Sequence, residues 1–478
     1  TGIDAGKIPT LPILTEKRFD GQEVVVFSLS PPPISSPIQK FGPQWEAATG
    51  ATINLVTFPF GEVYEKLRSG LATGGYTFDL VNFSASWAAD IAGGGYLDPM
   101  PEEIQALVQV DDYYKTYRDA MYWGDTMYGL MYDGDAHNLW YRRDLFENEE
   151  YRQRFSDAYD YELRPPATWE QYQQIGEFFS SFDWSGTGQS YGAVEPMGRG
   201  VTGIYYLLDR GVSYAKTEGD PYVFFDPDGM RPRINEPGWV QALTDWVTAA
   251  ESGIGLPGAA RLGFAEVRPA FIGGQAAMCL EWGDIATLSY DAAQSKIKGK
   301  LGTALLPGAS RVFDRVTQEW IETPEGNRAP YLAFTGWLFG VPTTAQAKEA
   351  AWDLAAFLCN PVASSVEVVL PGSGIQPSRL STINDPDYLI AAGMAPEDAR
   401  GYLHALGETI GHPNAVLDLR IPGTAEYYER LEVEASRAMA AEISPQEAMD
   451  NAAAHWEEIT ERLGREQQQQ AYIESLQG

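Results

Sequence analysis

At 478 residues the chain is too long for one ordinary domain, and two or three are expected. A composition of 44% apolar and 21% charged residues is that of a folded globular protein and excludes disorder. Its 34 basic and 66 acidic side chains give a formal charge of −32, which repels nucleic-acid phosphates and anionic lipids, so neither is an expected partner.

No apolar run reaches the ~18 residues that a membrane-spanning helix needs. Thr1 to Thr10 lack the charged-then-apolar pattern of a signal peptide, so export would require a targeting segment already removed. From Glu23 the sequence alternates strand-like and helix-like stretches: Glu23–Ser28, Pro37–Ala48, Thr52–Phe58, Glu62–Leu71, Phe78–Phe83 and Trp87–Ala92. This β-α-β-α-β-α series predicts parallel strands with ligand loops beyond their carboxyl ends, at Ser28–Ile34 and Phe83–Trp87. In the first helix Ile38, Phe41, Trp45 and Ala48 share a face, with Ser36 as cap and Gly50 as stop. Thr168 to Gln294 repeats the α/β texture, which predicts a second lobe, and helices follow from about Thr424. The last of them starts with Ser444, Pro445 and Glu447 as a capping box and carries Met449, Ala453, Trp456, Ile459 and Leu463 as a core stripe. Gln467–Gln470 reads as a polar tail. Cys279 and Cys359 each sit in an apolar segment, as buried thiols do.

Several patterns that resemble chemistry lack the context it needs. Gly188-Gln189-Ser190-Tyr191-Gly192 fits the G-x-S-x-G elbow, but no strand precedes the serine and no helix follows it. His137, His404, His412 and His455 have no metal-ligand spacing, and no phosphate or dinucleotide loop is present. Asp226-Pro227-Asp228-Gly229 and Asn384-Asp385-Pro386-Asp387 read as turns, although they carry oxygen ligands for calcium. No catalytic residue, metal or cofactor is expected.

Taken in order, Asp79-Leu80-Val81, Gly95-Tyr96-Leu97-Asp98-Pro99, Leu139–Phe146, Pro166–Glu170, Phe271–Met278, Leu306-Pro307-Gly308, Gly336-Trp337, Ala347–Leu358, Gly374–Pro377 and Ser444–Ile459 carry a resemblance over nearly the whole chain. In them the chain resembles the sugar-type extracellular solute-binding proteins of bacterial ABC importers, the family that includes maltodextrin-binding proteins. The resemblance implies an α/β, two-lobed periplasmic-binding-protein-like fold, each lobe a mixed, mostly parallel sheet flanked by helices with a hinge between. The lobes would be residues 1–134 with 303–361, and 135–302 with 362–478, joined by crossovers near Tyr132–Asn138, Lys300–Leu306 and Asn360–Ser365. It also implies a monomer outside the cell or in the periplasm, with or without a lipid anchor, that binds a sugar, oligosaccharide or polyol and delivers it to a membrane permease.

Sugars call for flat aromatics against the ring face and carboxylates at the hydroxyl edge. The resemblance places Phe83, Ser86 and Trp87 at the loop after the third strand, Asp135 before Tyr141–Asp144, Glu195 in an acidic-proline turn, and Trp282 at a stacking position, with Glu281, Asp284, Trp337 and Tyr427 beside them. Core packing is the alternative reading of each, of Phe83 above all. Insertions at Glu147–Leu163, Ala309–Pro330 and Ser381–Thr424 depart from the family pattern. So does the Pro31-Pro32-Pro33 run, which removes backbone donors from the first loop. Two other functions fit the same residues: capture of a cation such as a polyamine or betaine by carboxylates beside tryptophans, and glycoside hydrolysis by a pair drawn from Asp133, Asp135, Glu195 and Glu281.

Overall fold

The computed structural model describes residues 9–31, 33–74, 77–200 and 203–476, so Pro32 and the first eight residues lie outside it. Its strands run β1 (Glu23–Leu29), β2 (Thr52–Phe58), β3 (Leu80–Ser84), β4 (Tyr122–Trp123), β5 (Thr126–Met127), β6 (Leu130–Asp133), β7 (Asn138–Arg142) and β8 (Tyr191–Val194). They continue as β9 (Ala276–Glu281), β10 (Leu301–Ala304), β11 (Ala309–Asp314), β12 (Glu319–Asn327), β13 (Tyr331–Leu332), β14 (Trp337–Gly340) and β15 (Val416–Leu417). Two sheets organise the molecule, one of five strands in the order β2-β1-β3-β14-β6 and one of four in the order β10-β7-β9-β8.

The first sheet begins as the sequence predicts, with β1 parallel to both β2 and β3. Helix Ser36–Thr49 joins β1 to β2, buries Ile38, Phe41 and Trp45, and stops at Gly50, whose φ of 80° is the left-handed conformation that glycine adopts without cost. Its cap is Ser35 rather than the expected Ser36, and that hydroxyl makes no capping bond. The second sheet departs from a mostly parallel arrangement, because only β8 and β9 run parallel. Strand β7 enters it directly from β6 of the first sheet, with no crossover helix, and pairs antiparallel with both neighbours.

The chain passes between sheets in three places. The first is Gly134–His137, between β6 and β7. The second lies at 328–336 instead of 300–306: Leu301–Ala304 still pairs with β7, and the β11–β12 hairpin packs on helices Trp169–Ser180, Gly203–Ala215 and Pro237–Glu251. The inserted hairpin pairs with itself and stays on the side of the second sheet, beyond the expected boundary at 303. The third follows helix Lys348–Cys359, which packs on β3 and β6, and precedes helix Pro396–Ile410, which packs on β7 and β10.

At the C-terminal end Ser444 accepts the Glu447 N–H at 3.1 Å as an N-cap, and Met449, Ala453, Trp456 and Ile459 are buried. The glutamine run is not a tail. It lies in helix Arg465–Ser475, where Gln468 is buried and donates to Pro422 O at 2.9 Å. Cys279 and Cys359 are buried free thiols. Ser190 receives the N–H groups of Trp184 and Ser185 and donates to Asp183, so it organises a loop. Among the described residues no helix is long and apolar enough to cross a membrane.

Candidate ligand-binding cleft

A cleft of about 260 Å³ opens between the sheets. Its first wall comes from the loop after β1 (Ser30, Pro33, Ile34), from Phe60 just after β2, and from Phe334 and Trp337. The facing wall is Trp282 and Asp284, just beyond β9, with Phe264 and Arg268 from the helix that precedes β9. Asp133, Asp135 and Gly374 line it where the chain crosses between sheets.

Each wall is set by packing behind it. Trp282 is 6% exposed. Its ring meets Phe264 at 5.7 Å and His137 at 3.9 Å, both edge-on, and its indole N–H donates to Ala333 O at 3.2 Å. His137 is itself fully buried and bonded through Nδ1 to Asp209 at 2.7 Å. Opposite, Phe334 and Trp337 lie 5.1 Å apart, and each meets Trp87 edge-on at 5.6 Å. Geometry of this kind adds about 0.5–1.5 kcal/mol per pair beyond area burial and keeps large rings from turning.

The backbone under Phe334 is unusual. Phe334, Thr335 and Gly336 have φ of 69°, 52° and 112° in succession. For the first two this costs about 1–2 kcal/mol each, and a Cβ on Gly336 would stand 2.1 Å from Asp133 O. Asp418 helps to hold the segment, accepting from Thr335 Oγ1 at 3.0 Å and from the Tyr331 hydroxyl, and Ser84 Oγ donates to Phe334 O at 3.1 Å. Burial, against the pull of those two hydroxyls and of Arg420, raises the Asp418 carboxyl from its ordinary 3.8 to about 7. Stability from a carboxyl raised by folding is complete below its unfolded value and lost as pH rises through the folded one. Asp418→Asn should therefore lose about 4 kcal/mol less than the parent between pH 4 and 7.5, at about 1.4 kcal/mol for each pH unit between the unfolded and folded titrations. Chemical unfolding at a series of pH values checks this, and equal losses in both proteins would refute it.

The cleft is rich in carboxyls. Arg268 donates to Glu281 Oε2 at 2.6 Å and to Asp284 Oδ1 at 3.1 Å, and lies 4.3 Å over the Phe264 ring. Burial opposes its charge, but Asp284 and Glu281 outweigh burial and raise its pKa. Burial also raises Asp133 and Asp135 well above the ordinary range; the Gln376 N–H partly opposes this at Asp133, while at Asp135 the charge of Asp133 adds to it. Asp284 is raised less, with Arg268 opposing its burial.

Of the residues expected from the sequence, the structure brings Asp135, Trp282, Asp284 and Trp337 to the cleft. Glu281 stands one layer behind, occupied by Arg268 and by the Trp282 N–H. Trp87 backs Phe334 and Trp337, and Ser86 is buried against Ser84 Oγ at 2.8 Å. Three residues lie elsewhere. Phe83 is a 1% exposed core residue of β3. Glu195 is clamped by Arg210 at 2.7 and 2.8 Å. Tyr427 bonds Thr460 and packs on Trp456 among the C-terminal helices. Phe60, Phe264, Arg268 and Phe334 went unpredicted as site residues. For Phe264 and Arg268 a signal existed: they are four apart, on one face of the helix that ends in the Phe271-Ile272-Gly273-Gly274 motif.

The model of the family described as bacterial extracellular solute-binding protein matches residues 40–392. The chain is 25% identical over 332 residues to the mannitol-binding protein of Pseudomonas aeruginosa, covering 69% of this chain and 67% of that one. Among solved structures, maltose-bound MalE3 of T. maritima superposes with a TM-score of 0.72 at 19% identity, over 92% of this chain and 100% of that one. A solute-binding protein of Agrobacterium vitis with bound D-mannitol gives 0.69 at 18%, over 93% and 99%. These structures share the two-lobed fold, and the family match spans most of the sequence: the chain belongs to the bacterial extracellular solute-binding proteins.

Proposed function

We propose that the chain is the ligand-receiving subunit of an ABC importer, that it closes its cleft over one sugar- or polyol-sized molecule without transforming it, and that it releases this molecule to a membrane permease. The observation that carries the reading is the cleft itself. Aromatic rings carried on both sides line it, Phe60, Phe334 and Trp337 on one and Phe264 and Trp282 on the other, while Asp133, Asp135, Asp284 and Arg268 supply acceptors and donors for hydroxyls. A volume of about 260 Å³ suits one small solute better than a long oligosaccharide. Mannitol and maltose, bound by relatives of this fold, are the natural first probes. The lobes we assign are residues up to Asp133 with Trp337–Cys359, and Asn138–Asn327 with the C-terminal helices, and closure is a hinge rotation about the passages between them. In this reading the protein works as a monomer in the periplasm or at the outer face of the cell.

Titration calorimetry against D-mannitol, ribitol, D-tagatose and maltose should find a ligand of about micromolar affinity, near −8 kcal/mol, and the scattering radius should shrink when it is added. A flat panel with no compaction would end the proposal. The excess of carboxyl groups over the single guanidinium favours, as a second reading, a cationic solute such as a polyamine, whose binding would weaken with added salt while polyol binding would not. Hydrolysis has less support, since Glu195 and Glu281 are each engaged by an arginine, and activated glycosides should remain intact.

A further inference from the structure

Gln376 lies in the irregular segment after Gly374, within the third passage, and is 3% exposed. Its backbone N–H donates to Asp133 Oδ1 at 2.6 Å. Its side-chain amide donates to Asp135 Oδ1 at 2.5 Å and accepts the Gly283 N–H at 2.9 Å. One residue thereby ties the end of β6, the first passage, and the turn that carries Trp282 and Asp284. The fit leaves no slack, because a Cβ on Gly283 would stand 2.5 Å from Gln376 Oε1. Two of these three partners line the cleft and the third is the neighbour of two more, yet the Gln376 side chain does not line it.

Resting on the solute-binding reading above, we infer that Gln376 is a positioning residue: its amide fixes which oxygen of Asp135 is spent on the protein and which is offered to the solute, and holds the Trp282 turn at the matching distance. A primary amide suits this place. It supplies a donor to one side and an acceptor to the other with no charge, between acids that already oppose each other.

The test uses Gln376→Met, which keeps the volume and loses both side-chain bonds, and Gln376→Glu, which keeps the acceptor for Gly283 and loses the donor for Asp135. The emission of Trp282, taken as the difference between each protein and its Trp282→Phe counterpart, should shift to the red in Gln376→Met and stay in place in Gln376→Glu. Whichever of D-mannitol, ribitol or maltose binds the parent should bind both variants at least about tenfold more weakly, the scale set by the loss of one hydrogen bond to a carboxylate. Affinity within twofold of the parent overturns the inference, and so does loss of cooperative unfolding in both variants, which would make the residue merely structural. If no probe binds the parent, the polyol reading fails, and the Trp282 emission alone decides the positioning role, an unchanged spectrum in Gln376→Met overturning it.

Discussion

Trp282→Ala should lower affinity for the solute by about thirtyfold to a thousandfold and should also cost folding stability. The two effects have separate origins. Trp282 supplies the broad flat surface of the second wall, and removing a central aromatic anchor from a desolvated site costs about 2–4 kcal/mol of binding, which is one and a half to three decades in Kd. The ring also fills space among Tyr205, Tyr206, Phe264 and His137. Truncation of a buried tryptophan costs about 3–5 kcal/mol when that space cannot collapse, and here the neighbours are themselves large and interlocked. Trp282→Phe should fall between parent and alanine on both measures, because a smaller ring keeps part of the face but loses the N–H bond to Ala333. Calorimetry and chemical unfolding measured on the same preparations check both. An alanine variant that binds within threefold of the parent would show that the solute sits elsewhere.

Glu195→Ala should do the opposite, leaving affinity unchanged while destabilising the fold by about 3–5 kcal/mol. Arg210 is 1% exposed, lies 4.4 Å over Trp169, and gives both its terminal nitrogens to Glu195. Removing the carboxylate strands a guanidinium where water cannot reach it, and breaking one side of such a pair costs far more than the pair contributes. The direct measurement is the denaturation midpoint beside a binding isotherm. A selective loss of affinity with stability intact would return Glu195 to the site.

The contrast between these two residues shows what the sequence could and could not tell. Strands, helices and the α/β texture were legible because apolar periodicity is local: β2 covers the predicted residues, and the Ser444 cap forms. The family motifs gave Trp282 and Asp284 because they follow a recognisable strand. Glu195 looked identical by that logic, an acid in a turn after a strand. What removed it from the cleft was Arg210, fifteen residues on and one turn from Tyr206 in a fully buried helix. An ion pair of that kind has no spacing rule. The docking of the inserted segment was illegible for a related reason, because β11 and β12 pair with each other and the side on which they dock is decided by packing. Phe334 was hidden by its backbone: two left-handed residues without glycine leave no trace in a pattern reading, and the groups that hold them include Asp418, more than eighty residues away, and Ser84, 250 residues away.

The position of β14 between β3 and β6 bears on how the molecule is born. The second sheet is complete once residue 304 has been delivered, since its strands all fall between 138 and 304. The first must wait for residue 340, and until then β3 and β6 are unjoined edges of two fragments. Such long-range pairing is slow to nucleate because a large loop has to close first. The amino-terminal strands therefore gain their last partner only after about 340 of the 478 residues have been made.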